Sequence, residues 1–257
     1  MTTVNDVLCF LDTIAPRDLK MEWDNVGLLC GRGDQPVKTI LVALDPFEEV
    51  YREAAEIGAD LIVTHHPLIF KPVSSITDNT AVGKAIQFLV SNGISAVNAH
   101  TNLDCAPGGV NDCLASTLGL SDIQTIPGDP HGLLRQGTVE SQSLEAFMTH
   151  TKNVLGCPAL RYVCADKSVH RVAVGGGSCA DALCDVALAG CDTFVTADVK
   201  YNQFWDAKEY GINLIDAGHF YTENPVCGYL AEQLSAHFTD INVKTSLKHT
   251  DCAKFFF

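Results

Sequence analysis

The stretch DLIVTHHP, Asp60 to Pro67, decides how the chain is read. Its apolar half does not alternate with polar residues. Such a run predicts a strand buried on both faces, as in a parallel sheet covered by helices. Two adjacent imidazoles and a proline follow at once. Ligands in open α/β sheets gather beyond the carboxyl ends of strands, so His65 and His66 stand where chemistry is expected.

Working outward, the same pattern recurs. VKTILVAL (Val37–Leu44) reads as a buried strand, Phe47–Ile57 as a helix, Thr80–Asn92 as a helix stopped by Gly93, Ile94–Asn98 as a strand and Val110–Leu118 as a short helix. Upstream, Val4–Ile14 is an amphipathic helix ended by Pro16, and Met21–Gly31 an apolar segment containing a turn. Downstream, the plan returns as strand Val169–Val174, helix Ala180–Ala189, strand Thr193–Thr196, helix Tyr201–Tyr210, strand Ile212–Asp216, helix Pro225–His237 and strand Ile241–Thr245. Between these halves, Gln136–Glu140, Leu144–Leu155 and Leu160–Cys164 read as an open β-α-β.

The halves align. At an offset of 132, Val42, Ala55, Gly58, Asp60, Val63 and Thr64 match Val174, Ala187, Gly190, Asp192, Val195 and Thr196. At an offset of 118, Gly93, Ile94 and Ala99 match Gly211, Ile212 and Ala217, so the second copy lacks 14 residues of loop. The expected fold is therefore α/β, two similar halves from a degenerate duplication. The division is expected at 1–120 and 121–257, with Ser121–Leu134, which holds two prolines and two glycines, as the boundary.

Composition bounds the function. The chain has 257 residues, 47% hydrophobic and 19% charged, which excludes a disordered polymer. No run approaches a membrane span, and the N-terminus lacks the basic start and cleavage site of a signal peptide. Eleven cysteines, an odd number with no CxxC pair, read as free thiols of a reducing compartment, and a cytoplasmic location is expected. A net charge of −14 opposes binding to phosphate backbones and suits a protein that gathers cations.

Four strand ends carry candidate ligands. DLIVT is followed by His65 and His66, ISAVNA by His100 and then Asp104, INLIDAG by His219 and Glu223, and TFVT by Asp198. Two divalent cations close together need imidazoles for binding and carboxylates to bridge them and offset their repulsion. His65 and His66, being adjacent on extended backbone, point apart and suit different ions. His219 and Glu223, four residues apart, share one face of a helical turn. Each residue taken singly has a structural reading: a hydrogen-bonded histidine, or a carboxylate at a helix start. His100 reads equally as support for a ligand or as plain structure. His131, His150, His170, His237 and His249 read as surface or structural. Gly175-Gly176-Gly177-Ser178 reads as a tight turn rather than a phosphate cradle, because it lacks the Lys-Ser/Thr of a P-loop. Asp24 and Asn25, polar in an apolar loop, are expected to order that loop near the site.

EWDNVGLLCG, DLIVTHHPLIF, NAHTNLDCAPGGVND and DTFVTADVKYNQFWDAKEYGINLIDAGHFYTE, in this order, resemble the signatures of the Nif-three-like dinuclear-metal proteins, often labelled GTP cyclohydrolase 1 type 2 homologues. The resemblance runs from about Val4 to Val243. It implies a site for two divalent metal ions (Zn, Mn, Fe or Ni) held by His65, His66, Asp104, His219 and Glu223 between two α/β halves, at strand C-terminal ends. It also implies a toroidal homohexamer, and at this length the short form without an inserted domain. The expected activity is metal-dependent hydrolysis of GTP or a related nucleotide, with His100 or Asp198 as proton acceptor and with Lys71, Arg135, Arg161 and Lys200 as candidate phosphate partners. The alternative is a non-enzymatic metal-binding or regulatory scaffold. Neither a membrane nor a nucleic acid is an expected partner.

Overall fold

The computed structural model describes residues 1–256. In chain order the first elements are α1 (Val4–Ile14), β1 (Gly27–Cys30), β2 (Thr39–Ala43), α2 (Glu48–Glu56), β3 (Leu61–Thr64), α3 (Ala81–Ser91), β4 (Ser95–Asn98) and α4 (Thr101–Cys105). Then come α5 (Val110–Thr117), β5 (Ser121–Thr125), β6 (Arg135–Gln142), α6 (Leu144–Leu155), β7 (Arg161–Val163), β8 (Val169–Val174), α7 (Leu183–Leu188), β9 (Thr193–Thr196), α8 (Tyr201–Tyr210), β10 (Asn213–Asp216) and α9 (His219–Glu223). The chain closes with α10 (Pro225–His237) and β11 (Asn242–Thr245).

These elements form two compact units. The first holds Met1–Ala106 and Val226–Thr250, and the second holds Pro107–Pro225 and the residues from Asp251 on. The first sheet runs β1-β4-β3-β2-β11, and the second β5-β6-β8-β9-β10-β7. The fold is α/β, as the sequence predicts. The division falls at Ala106, ahead of residue 120, for a packing reason. Leu114 and Ala115 of α5 join Leu118, Leu120, Val172 and Val174 in one core cluster. The C-terminus returns to the first unit because β11 pairs in parallel with β2, Asn242 opposite Thr39.

In the first unit, β2, β3 and β4 lie parallel, with Ile40 opposite Leu61 and Leu61 opposite Ser95. Every residue of β3 and β4 is buried, which is why these segments carry no polar alternation. α1 starts at a capping box: the Asp6 amide donates to Thr3 Oγ1 at 3.3 Å and the Thr3 amide to Asp6 Oδ2 at 2.8 Å. Val4, Val7, Leu8 and Leu11 form its buried face. The expected apolar turn at Met21–Gly31 contains β1, which runs antiparallel to β4 with Gly27 opposite Asn98. That pairing brings the loop before β1 to the carboxyl end of the sheet.

The second unit repeats the first at the level of individual bonds. Asp60 Oδ2 accepts the amides of Lys38 and Thr39 at 2.7 and 3.0 Å. Asp192 Oδ2, 132 residues on, accepts those of His170 and Arg171 at 3.0 and 2.7 Å. The registers agree as well, Val172 opposite Thr193 and Thr193 opposite Asn213. Gly93 and Gly211 end their helices at φ 67° and 64°, conformations that favour glycine. The outer strands differ: β6 is antiparallel to β8, whereas β11 is parallel to β2. The expected boundary at Ser121–Leu134 holds β5, antiparallel to β6. The expected open β-α-β is present as β6, α6 and β7, but β7 sits at the far edge of the sheet beside β10. The expected helix Ala180–Ala189 opens as a 3-10 turn, Ala180–Ala182, before α7. All eleven cysteines are free thiols, as expected.

Glu53 of α2 ties the C-terminal return to the first unit. Its buried carboxylate accepts the Ser246 hydroxyl and the amides of Leu247 and Lys248, the amides at 3.0 and 3.3 Å. Burial pushes this carboxyl upward, but the Ser246 hydroxyl and the two amides outweigh it and hold it below its ordinary 4.5. A lowered folded value stabilises the protein above the unfolded value, and that stability is lost as pH falls below 4.5 through the folded value. Glu53→Gln is expected to destabilise by about 1–3 kcal/mol at neutral pH. Chemical denaturation at pH 7 and pH 4 should find the gap between variant and wild type smaller at the lower pH.

Candidate metal centre

In the first unit, three neighbouring parallel strands deliver polar side chains to one edge. Asp45 follows β2, His65 and His66 follow β3, and His100 and Asp104 follow β4. Their ligand chemistry rests on how each imidazole is tethered. His65, fully buried, directs Nδ1 to the Ala99 carbonyl at 2.9 Å. His66 directs Nδ1 to Asp45 Oδ1 at 2.7 Å, and His100 to Asp24 Oδ1 at 2.8 Å. Each acceptor is a carbonyl or carboxylate oxygen, so each Nδ1 carries the proton. That assignment leaves Nε2 of the neutral ring as the lone-pair nitrogen. His65, His66 and His100 each present a ligand atom within 4.8 Å of the others. Asp104 stands beside them, with Oδ1 3.4 Å from His65 Nε2.

The carboxylates behind the rings are held charged. Asp24 is buried. Burial alone would raise its carboxyl, but the hydrogen bonds from His100 and Thr101 drive it well below the ordinary range. Asp45 behaves alike: burial raises it, and His249 and His66 together lower it further. His249 Nε2 meets Asp45 Oδ2 at 3.0 Å, so one carboxylate spans two imidazoles.

The second unit builds a smaller set. His219 Nδ1 meets Asp198 Oδ2 at 2.7 Å, and His219 Nε2 meets Glu223 Oε2 at 3.1 Å. α9 supplies the expected one-turn spacing, and Pro225 starts the separate helix α10. Asp198 holds φ at 51°, a left-handed conformation that Asp tolerates better than most residues. The glycine turn after β8 has its reason here. A Cβ on Gly177 would stand 2.2 Å from Glu223 Oε1 and 2.9 Å from His219 Nε2. The Gly176 amide donates to Asn111 Oδ1 at 2.7 Å and the Gly177 amide to Thr222 Oγ1 at 3.0 Å. The turn is a close approach to α9, as the tight-turn reading expects.

Both donor sets fit a metal ion. Bonds of about 2.0–2.2 Å in a tetrahedral site separate neighbouring ligand atoms by about 3.4 Å. The pairs His65–Asp104 at 3.4 Å and His219–Glu223 at 3.1 Å lie close to that spacing. In each pair an imidazole nitrogen faces a carboxylate oxygen while Nδ1 is held from behind, the arrangement by which outer partners orient a ligand.

Comparison with known proteins identifies the family. The family model Duf34/NIF3 (NGG1p interacting factor 3) matches residues 2–252. This chain belongs to the Duf34/NIF3 family. A GTP cyclohydrolase 1 type 2 homolog of Clostridium perfringens is 38% identical over 238 residues, covering 90% of each chain. Among solved structures, a Bacillus cereus protein related to NIF3 superposes with a TM-score of 0.92 at 26% identity, covering 100% of this chain and 99% of that one. The Staphylococcus aureus protein SA1388 gives 0.91 at 30% identity, with 99% of each chain covered.

Some expected roles change with the geometry. Asp24 and Asn25 order their loop, as expected, and Asp24 also anchors His100. Asp45 draws no sequence reading, and His249, which reads as surface or structural, takes the structural role of holding Asp45. Of the candidate phosphate partners, Arg135 is buried against Asp112, with its Nε 3.0 Å from Oδ2, and Arg161 is paired with Asp216. Asp45→Ala and His249→Ala should each weaken metal binding about 10–100-fold, because they release His66 rather than remove a ligand. Competition with a chromophoric chelator reads the change, and His249→Gln, which can still donate to Asp45, should recover most of it. Gly177→Ala should lose metal binding while folding, since its Cβ displaces the Glu223 carboxylate.

Proposed function

We propose that this protein is a metal-dependent hydrolase that works with two divalent cations. The observation that carries the reading is the tether on each imidazole: His65, His66, His100 and His219 all hold Nδ1 on an oxygen acceptor. The tethered rings of the first unit also converge, with ligand atoms of His65, His66 and His100 within 4.8 Å of one another. The first unit offers three imidazoles and Asp104, and the second His219 and Glu223. Divalent ions need carboxylates beside imidazoles, and Asp104 and Glu223 are both buried. His65, His66, Asp104, His219 and Glu223 are the proposed ligands.

When bound, such a pair supplies Lewis acidity and a water of lowered pKa. His100 is suited to accept a proton through Nε2, because Asp24 holds its tautomer and stabilises the charge that follows. Asp198 orients His219 through Nδ1, and its half-exposed side chain leaves its second oxygen for the same proton-acceptor role. The buried floor of β3 and β4 keeps solvent from the back of the site. The relatives named GTP cyclohydrolase 1 type 2 homolog direct the substrate search toward GTP and related nucleotides. Among the described residues no helix is long and apolar enough to cross a membrane. The homohexamer belongs to the same proposal; α8 leaves Tyr201 and Trp205 exposed, one turn apart, for a subunit contact.

Elemental mass spectrometry on purified protein is expected to find about two ions per chain, and His65→Ala/His66→Ala should lose them. With the metal so identified, Glu223→Gln and His100→Gln should each lower nucleotide turnover by about 10²-fold or more, the change in His100→Gln falling on kcat. A fully loaded protein inert across a nucleotide panel would instead favour the metal-binding scaffold. Light scattering reads the ring.

A further inference from the structure

Beside His100 lie two large rings that folding does not account for. Trp23 is 63% exposed and Phe70 50% exposed. An apolar ring of this size left in water forgoes the burial that core aromatics gain. Yet neither ring stands on a loose loop. The Met21 amide donates to Thr101 Oγ1 at 2.9 Å, the Asp24 amide to the Met21 carbonyl at 3.0 Å, and Lys20 Nζ to the Asp24 carbonyl at 3.0 Å. Asn25 Nδ2 reaches across to the Ile69 carbonyl at 2.6 Å, which fixes the backbone next to Phe70. The same Asp24 that anchors His100 thus belongs to the pinned segment that presents Trp23, and its neighbour Asn25 ties that segment to the one presenting Phe70.

The three rings make a corner. Trp23 and Phe70 have centroids 5.8 Å apart at 74°, Trp23 and His100 are 6.2 Å apart at 73°, and Phe70 and His100 are 6.1 Å apart at 80°. Each meets the others nearly edge to face. A flat guest laid against one wall meets a second wall edge-on, and both geometries suit aromatic rings. Among the described residues the cation–ring contacts lie elsewhere, on Phe88, Phe204 and Trp205, and Lys20 is turned back onto the carbonyls of Met21 and Asp24. The corner's walls are aromatic faces and edges, which suit a ring.

We propose that Trp23, Phe70 and His100 form a stacking subsite that seats a planar heteroaromatic ring of the substrate, a purine base or a ring of like shape, against the metal-binding edge of the first unit. The assignment of a substrate to this edge rests on the hydrolase reading above, while stacking itself needs no turnover.

The chain has two tryptophans, so Trp205→Phe leaves Trp23 as the sole reporter. Guanosine, which carries the base without phosphate, is expected to quench that emission, and ribose 5-phosphate is not. By calorimetry, Trp23→Leu should weaken guanosine binding about tenfold or more, and Trp23→Phe should retain most of it. Thermal melts of both variants should match the wild type, because the ring is exposed. Unchanged emission with guanosine up to its solubility, or Trp23→Leu binding guanosine as the wild type does, overturns the subsite. Quenching without any turnover leaves the subsite standing and sinks the hydrolase; metal-dependent turnover without quenching does the reverse.

Discussion

A neutral imidazole has one nitrogen that donates and one that accepts, and fixing the first aims the second. His65, His66, His100 and His219 all have Nδ1 committed to an oxygen, three of them to carboxylates. The consequence reaches far into the fold. Asp24 must be buried in the loop before β1, Asp45 must stand just beyond the end of β2, and Asp198 must take a left-handed turn after β9. Burying a carboxylate is unfavourable unless hydrogen bonds replace its water. Asp24 meets that need with the Thr101 amide and hydroxyl besides His100, so α4 begins where the carboxylate requires donors.

Duplication supplies the frame and leaves the chemistry free. What repeats between the units is the part that sets backbone position: Asp60 and Asp192 at the strand starts, the glycines that end the helices, and the register of three parallel strands. What does not repeat is the set of side chains beyond the strand ends. At the common offset, His65 and His66 correspond to Ala197 and Asp198. A strand end is a position that folding constrains weakly, since the side chain beyond it leaves the sheet. One copy can carry imidazoles and the other a carboxylate without altering the registers beneath.

The sequence pattern reaches the strands, the helices and the two histidine-bearing edges because these depend on local periodicity and on short spacings. α1, α6, α8, α10, β8 and β9 lie at their expected bounds. Residues whose role depends on a distant partner are invisible to the same reading. Asp45 and His249 are 204 positions apart along the chain and meet only because β11 pairs with β2. His249, without a chemical neighbour in sequence, reads only as surface or structural. β5 was hidden for another reason: its burial pattern is exposed throughout except at Ile123, so it lacks the apolar signal of the central strands. The unit boundary misled because proline and glycine mark turns within a unit as readily as joints between units.

The support behind His66 also shows why the C-terminal strand matters beyond packing. β11 could close the first sheet with any apolar pair opposite β2. The segment after it instead places Ser246, Leu247 and Lys248 on Glu53 and, at the next residue, His249 on Asp45. The Glu53 bonds fix the backbone that carries His249, and the His249 bond fixes the carboxylate that carries His66. Orientation of a proposed ligand in β3's exit loop is thus set in series by a helix, a C-terminal turn and a strand end. A loss anywhere in that series acts on the ring's angle while leaving every proposed ligand in the chain, so metal affinity and folding stability are joined through α2 and β11 as well as through the core.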